Sequence, residues 1–183
     1  MNEQTLLARA REWDMEALAQ IYDQYSPALY RYAMRLLGDQ DAAEECVAET
    51  FSRFLHALHN GKGPRQALKA YLYRIAHNWI TDYYRRHPPA EAIDDHERTL
   101  ADGEPGPEAW ATRRWTQEAV RQALHHLTPD QRQVVVLRFL EGWSLAEVAQ
   151  ALDKPVGAIK ALQHRALARL RTLLAHFMEA EHV

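Results

Sequence analysis

The sequence predicts an all-α fold of two small helical domains joined by an acidic flexible linker. Apolar residues recur every three or four positions both before and after residues 88–109. No segment alternates convincingly with the period of two that a half-buried strand shows. Residues 88–109 hold half of the prolines and no sustained apolar period, which is typical of an inter-domain linker. We predict a first domain over residues 1–87, this linker, a second domain over 110–178 and a tail over 179–183.

Composition indicates a folded chain. Of the 183 residues, 47 % are hydrophobic and 26 % are charged, which excludes wholesale disorder. The single cysteine, Cys46, rules out an intramolecular disulfide. No apolar run approaches the roughly 20 residues of a membrane span, and the N-terminus is polar and acidic, unlike a signal peptide. We expect a soluble protein of the cytoplasm with no membrane insertion.

Charge alternates along the chain. The net formal charge is −6 over residues 1–50, +6 over 51–87, −6 over 88–109 and +3 over 110–183. Alternating blocks indicate several surfaces for different partners, whereas a uniform nucleic-acid coat would be basic throughout. The alternative is ordinary surface variation.

Three helices are predicted in the first domain. Ser26-Pro27 combines a capping residue with a proline, so we expect a helix to begin there and to end at Gly38. A second helix begins at Asp41, with apolar spacings of three or four, and ends at the turn-forming residues 60–64. A third runs from about residue 68 to 86, ahead of two prolines.

The second domain is predicted to hold four helices. The first runs from Trp110 to Leu127, and Thr128-Pro129 caps the next. Ser144 and the glutamate three residues later fit a capping box at the start of a short helix through Leu152. Pro155 then opens a final helix that continues past residue 174.

Residues 144–170 have the layout of a helix-turn-helix, in which a short capped helix and a tight turn precede a longer basic helix. Five cations and no anion lie between Lys154 and Arg171. The residues predicted to face inward are Ile159, Leu162, Ala166 and Leu170. Those predicted to face a DNA major groove are Lys160, Ala161, His164 and Arg165. The alternative is a solvated cationic helix in a bundle.

Residues 69–86 interleave aromatic side chains with cations and an amide, a pattern typical of surfaces that bind single-stranded nucleic acid. Trp79 and Tyr83 lie on the apolar stripe and are predicted to be core. The candidates for contact are Tyr73, Arg74, His77, Asn78, Arg85 and Arg86.

At this point the chain resembles a sigma factor of the bacterial RNA polymerase, of the short extracytoplasmic-function type. Residues 21–39 are similar to the opening of the second conserved region, and Ala43-Glu44-Glu45-Cys46-Val47-Ala48-Glu49-Thr50-Phe51 resembles the helix that binds core polymerase. Residues 71–86 resemble the helix that melts and reads the −10 element. Residues 127–170 look like the fourth region, which reads the −35 element. No separate third region fits between them.

The resemblance implies a role for each charged block. Core RNA polymerase, through its clamp helices and flap, is the expected partner, and its candidate contacts are Asp41, Glu44, Glu45, Ala48 and Glu49. Asn78 and the loop 60–65, which includes Lys62, would hold an unstacked −10 base. Arg85 and Arg86 would contact the DNA backbone near that base. Lys160, His164 and Arg165 would read the −35 groove. The acidic linker would lie in the polymerase channel, and a separate anti-sigma factor is expected.

Some positions depart from the family. Glu45 and Ala48 stand where Asp and Gln are usual, so one polar contact to polymerase is expected to be missing. Ala161 and Leu162 replace a usual Ser and Arg of the recognition helix. Either that helix is slightly rotated or the −35 sequence it reads is unusual.

The sequence offers two alternatives from other classes of protein. A free-standing helix-turn-helix regulator explains residues 110–178 equally well but leaves the acidic helix, the aromatic-basic helix and the linker unexplained. An enzyme is disfavoured because no phosphate loop, nucleophile elbow or Cys-x-x-Cys occurs, and we expect no cofactor and no metal. The weak candidate metal ligands are Glu179 with His182, His56 and His59 with Cys46, and the stretch 94–97.

Overall fold

The computed structural model describes residues 2–88 and 117–179, with side chains as far as Phe177. The helices of these ranges are α1 (Glu3–Arg11), α2 (Met15–Leu37), α3 (Gln40–His59), α4 (Leu68–Arg86), α5 (117–125), α6 (Pro129–Val135) with a π-helical turn (Val136–Leu140), α7 (Leu145–Leu152) and α8 (Val156–Glu179). The described residues contain no strand, which confirms the all-α fold class. We call α1–α4 the first helical unit and α5–α8 the second.

The predicted start of α2 at Ser26-Pro27 is wrong. The helix begins twelve residues earlier, at Met15 instead of Pro27, where the Asp14 side chain accepts from the backbone N–H groups of Glu16 and Ala17. Pro27 lies inside the helix on its exposed side. An interior proline costs roughly 3 kcal/mol through its missing hydrogen bond and ring clash. The helix continues because Ala17, Ile21, Tyr25 and Leu29 form one unbroken buried stripe past the proline.

Helix α1 was not predicted, and it closes one end of the first unit. Its Leu6, Leu7 and Ala10 are buried. Asn2 caps it by accepting from the N–H of Thr5. The α1–α2 corner places Trp13 in the left-handed region, with φ of 59°. The acidic start of the chain is therefore part of the core-forming unit.

Several other element ends were predicted from local chemistry and are confirmed, although α3 and α8 begin one residue away from the predicted Asp41 and Pro155. Gly38 ends α2 with φ of 64°, a left-handed conformation that favours glycine. Thr128 and Ser144 each form a complete capping box, in which the side chains of Gln131 and Glu147 accept from the backbone N–H of the capping residue. Asp153 makes the left-handed turn between α7 and α8. The linker 88–109 and the first residues predicted for α5 lie outside the described residues, except Pro88.

The two units share a contact surface. Helices α2, α3 and α4 pack around the buried side chains of Ile21, Leu29, Phe54 and Ile80, while α6, α7 and α8 pack around a second group that includes Val134 and Ile159. Helix α7 of the second unit also packs against α4 of the first. The geometry of α4 therefore depends on both units.

Candidate nucleic-acid interface

Helix α8 presents a basic face, which we define by Lys160, Ala161, His164 and Arg165, and all four residues are exposed. The opposite side of α8 is anchored by Ile159 and Ala166, which are fully buried, and by Leu162 and Leu170, which are half-buried. The predicted inward and outward sides of the helix are thus confirmed.

The departure from the family at Leu162 does not disturb that arrangement. Leu162 packs against the core, and the Gln163 side chain accepts from Arg138 Nε at 3.3 Å. Arg138 also donates to the carbonyl of Trp143 at 2.7 Å. Gln163 is thereby linked through Arg138 to the turn before α7. This link fixes the orientation of α8, and with it the direction in which its basic face points.

Helix α4 carries a second set of candidate residues, and one side of it faces the second unit. We define this inner face of α4 by Lys69, Tyr73, Arg74 and His77. Arg74 donates through Nε to the carbonyl of Ala151 at 2.9 Å and through Nη2 to that of Gln150 at 3.1 Å. These carbonyls belong to the last turn of α7, where the partial negative charge of a helix end favours a cation.

Aromatic contacts continue the inner face of α4. The Tyr73 ring lies edge-on to Trp143, with centroids 4.9 Å apart, and edge-on to Tyr32 at 5.0 Å. Lys69 Nζ lies 4.2 Å from the Trp143 ring centroid and 3.8 Å from Glu147 Oε2. Lys69 was not singled out from the sequence, because its pairing with Trp143 joins residues far apart in the chain.

His77 links three helices. Its Nε2 lies 2.9 Å from the carbonyl of Pro129, and its Nδ1 lies 3.0 Å from the Tyr32 hydroxyl. A carbonyl oxygen can only accept, so Nε2 carries the proton and Nδ1 accepts from Tyr32. Burial, assisted by the nearby Arg132 charge, lowers the pKa of His77 to about 3. The ring is therefore neutral.

The expectation that Tyr73 and His77 are exposed is wrong. They retain 1 % and 3 % of their accessible surface. The apolar stripe read from the sequence accounts for Trp79, which is buried, and Tyr83, which is half-buried. It could not reveal that α4 is also covered by the second unit. Arg74 is exposed in spite of its bonds to α7. The remaining candidates of α4, Asn78, Arg85 and Arg86, are also exposed, and we call them its outer residues.

The loop before α4 is held by α1. Lys62 is exposed at its tip. Arg11 Nη1 donates to the carbonyls of Gly63 and Pro64, at 2.9 and 3.2 Å. Glu3 accepts from the N–H of Leu68, at 3.2 Å, where α4 begins without a side-chain cap of its own. Sequence reasoning missed these two positioning residues, because each acts across more than fifty residues of chain.

Helix α3 has an acidic face, which we define by Asp41, Glu44, Glu45, Ala48 and Glu49. The first four are exposed, and Glu49 is half-buried with its carboxylate 3.0 Å from Arg53 Nε. Beside it a groove of about 300 Å³ separates α3 from α2. Its lining residues are Tyr22, Ser26, Pro27, Tyr30, Glu44, Val47 and Ala48. The small side chain of Ala48 helps to leave this groove open.

A buried cation lies where α5 and α6 meet the first unit. Arg132 donates to the carbonyls of Leu124 and Leu127, at 3.0 and 3.2 Å, and its guanidinium lies 4.4 Å from the Tyr84 ring centroid. Tyr84 also stacks on His125, with centroids 4.0 Å apart. Burial, together with the Arg132 and His126 charges, lowers the pKa of His125 to about 4.

The weak metal candidates have other contacts. His56 lies 3.0 Å from the Asn60 amide, and His59 packs edge-on against Trp13. Cys46 is buried, and burial raises the pKa of its thiol to about 12. Within residues 2–88 and 117–177, no three His, Cys, Asp or Glu side chains are placed to hold a metal ion. No helix in the described ranges is long and apolar enough to cross a membrane. Residues 94–97, the Glu179 side chain and His182 lie outside the described part.

Family models match both units. The model described as Sigma-70 region 2 matches residues 21–88, and the one described as Sigma-70, region 4 matches residues 123–172. Together they span most of both described ranges.

Individual relatives match along nearly the whole chain. The ECF RNA polymerase sigma factor BldN of Streptomyces coelicolor is 34 % identical over 175 residues, which cover 92 % of this chain and 64 % of BldN. The ECF RNA polymerase sigma factor ShbA of Streptomyces griseus subsp. griseus is 33 % identical over 182 residues, covering 92 % and 93 %. The solved structure of CnrH in complex with the cytosolic domain of CnrY matches with a TM-score of 0.69 at 26 % identity, covering 95 % of this chain and 97 % of CnrH.

Proposed function

This chain belongs to the ECF sigma factors of the sigma-70 family, and we propose that it binds core RNA polymerase and directs it to specific promoters for the initiation of transcription. The observation that carries the proposal is the order of the matched regions, with region 2 followed by region 4. Region 2 holds the acidic face of α3, and region 4 holds the basic face of α8. Sigma factors are not enzymes, and we assign no catalytic step to this chain. It works in the cytoplasm, with polymerase and promoter DNA.

The acidic face of α3 binds core polymerase. Asp41, Glu44 and Glu45 are exposed and form a negative surface for basic residues of the clamp helices. The groove beside Ala48 offers an apolar recess next to those charges. The second unit binds the flap, so polymerase holds the two units apart from each other.

The outer residues of α4 bind the melted −10 strand. Melting exposes base edges that a duplex hides, and Asn78 has both donors and acceptors for such an edge. Arg85 and Arg86 bind the phosphates beside it, and the loop with Lys62 closes over the same base. Support comes from the exposure of these four residues and from the two hydrogen bonds by which Arg11 holds the loop.

The basic face of α8 reads the −35 element as duplex. Lys160, His164 and Arg165 point outward from a helix that α6 and α7 support on its other side. Ala161 leaves room for a base or its methyl group where a longer side chain would project. This geometry agrees with major-groove reading by a recognition helix.

A separate anti-sigma factor regulates the chain. CnrH, which matches over almost its whole length, has been solved with the cytosolic domain of CnrY bound. We infer that this chain also has a protein partner that covers its polymerase-binding and DNA-binding faces.

The acidic linker lies in the polymerase channel until RNA displaces it, and neutralising its seven acids should change the pattern of abortive products.

Transcription by purified core polymerase, with and without this protein, tests the proposal on a pool of random promoter sequences. Start sites that appear only with the protein establish a sigma factor and yield its −35 and −10 sequences together. No transcription, combined with tight duplex binding by the protein alone, supports the free-standing regulator instead.

A further inference from the structure

We propose that helix α1 sets the base selectivity of the loop 60–65, and that Arg11 and Glu3 of α1 are its positioning residues. The inference rests on the proposed function, in which this loop and Asn78 hold an unstacked base of the −10 strand. It goes beyond that function because α1 lies ahead of the part of the chain that matches region 2, which begins at residue 21.

The first half of the loop is folded back onto the end of α3. The backbone N–H of Lys62 donates to the carbonyl of Ala57 at 2.8 Å. Gly63 lies so closely against Leu58 that a Cβ on residue 63 would overlap the Leu58 side chain. Backbone hydrogen bonding and close packing therefore place the start of the loop.

Arg11 holds the middle of the loop. Its Nη1 donates to the carbonyls of Gly63 and Pro64, at 2.9 and 3.2 Å. Hydrogen bonds from a charged donor are stronger than those between neutral groups, and Arg11 is half-buried, where water competes less for them. Within the described residues, neither Lys62 nor Arg65 makes a side-chain hydrogen bond or an ion pair. The shape of the loop thus depends on Arg11, while its own cations stay available to a ligand.

Glu3 holds the chain just after the loop, where α4 begins. Ala67 precedes α4 with φ of 55°, a left-handed conformation that is rare for residues other than glycine. One Glu3 carboxylate oxygen accepts from the N–H of Leu68 at 3.2 Å, and the other accepts from the Tyr25 hydroxyl at 3.0 Å. Because α4 has no side-chain cap of its own, Glu3 supplies the missing acceptor from α1.

A loop held in this way separates selectivity from affinity. Cations and aromatic rings bind single strands with little regard to sequence, because every base has a face that can stack. Discrimination between bases requires polar groups at fixed places, since a base of the wrong kind leaves them unpaired. Lys62 and Arg65 therefore attract any strand, whereas the place at which Arg11 holds the loop decides which base fits. Loss of Arg11 should lower selectivity much more than affinity.

The first experiment measures selectivity in the complete holoenzyme. Core polymerase with the full-length protein transcribes a pool that has a fixed −35 element and a random −10 element, and sequencing gives the base preference at each position. The position that the loop reads is the one at which Asn78→Ala loses its preference. There the wild type should favour its best base over its worst by about 10-fold, and Arg11→Met by about 2-fold. The other −10 positions should keep their preferences.

The second experiment tests the shape of the loop in the free full-length protein. Trypsin cleaves after Lys62 and Arg65, and mass spectrometry follows both bonds. Cleavage requires the loop to open locally, so Arg11→Met should speed it about 10-fold. Arg11→Lys keeps a single charged donor and should give intermediate values in both experiments. Arg31→Met removes an exposed arginine of α2 that makes no hydrogen bond with the loop, and it should match the wild type in both.

Two results would overturn the proposal. Unchanged selectivity in Arg11→Met, together with faster cleavage, would show that the shape of the loop does not decide which base fits. Equal losses of preference at every −10 position would leave Arg11 with a purely structural role. Glu3→Ala releases the chain after the loop and should lower selectivity at the same position as Arg11→Met. Failure of the proposed function looks different, because the wild type itself would then give no promoter-specific start sites.

Discussion

Acid should weaken the contact between the two helical units through His77. The ring is neutral, with Nε2 donating to the carbonyl of Pro129 and Nδ1 accepting from Tyr32. The titratable and charged groups that face it are Tyr32 from α2 and Arg132 from α6. A proton added at Nδ1 would place an uncompensated charge beside the Arg132 cation in a buried site.

The magnitude follows from the pKa of His77 with the two units in contact and with the two units apart. Burial at the contact lowers the pKa of His77 to about 3, whereas an exposed histidine has a pKa of about 6.5. The contact between the units therefore keeps its full free energy above pH 6.5 and loses free energy as the pH falls from there toward 3. Between pH 7.5 and 5.5 this loss is about 1.4 kcal/mol, a factor of about 10 in the ratio of molecules with the units in contact to molecules with the units apart.

The assay is the distance between two spin labels at the two pH values, placed on the exposed positions Ser52 of α3 and Ala168 of α8 as S52C and A168C in a C46A background. The wild type should gain a long-distance population at pH 5.5, and His77→Gln, which can still donate to the Pro129 carbonyl but cannot be protonated, should lose most of that response. His125, whose pKa is lowered to about 4, accounts for a smaller remainder because it is only half-buried. A distance distribution that is the same at both pH values, or a full response in His77→Gln, would refute the reasoning.

Four other predictions concern single sites. Arg132→Met should lower the free energy of unfolding in urea by about 2–4 kcal/mol, because two buried carbonyls lose their donor, and unchanged unfolding would contradict this role. Ser144→Ala should cost about 1 kcal/mol in the same measurement through loss of the cap, against no change for the exposed control Ser52→Ala. Arg165→Ala should weaken binding to the preferred −35 duplex by about 1–3 kcal/mol, and an equal loss on every duplex would indicate a phosphate contact instead. Glu44→Lys should weaken core polymerase binding about 10-fold in a titration, whereas Glu12→Lys should not.

Local chemistry predicted much of the fold. The capping boxes at Thr128 and Ser144 depend on residues three positions apart, and the left-handed end of α2 depends on Gly38 alone, so short stretches of sequence determine them. The basic face of α8 was predicted for the same reason, because helical period alone separates it from Ile159 and Ala166.

The features that sequence reasoning missed depend on distant residues. A proline rule favours a helix start at Pro27, but buried residues on both sides of it extend α2 back to Met15. Arg11 carries no local signal of its role, because the loop that it holds lies 52 residues away in the chain. His77 was assigned to the surface because a single helix has one apolar stripe, whereas α4 is buried on two sides.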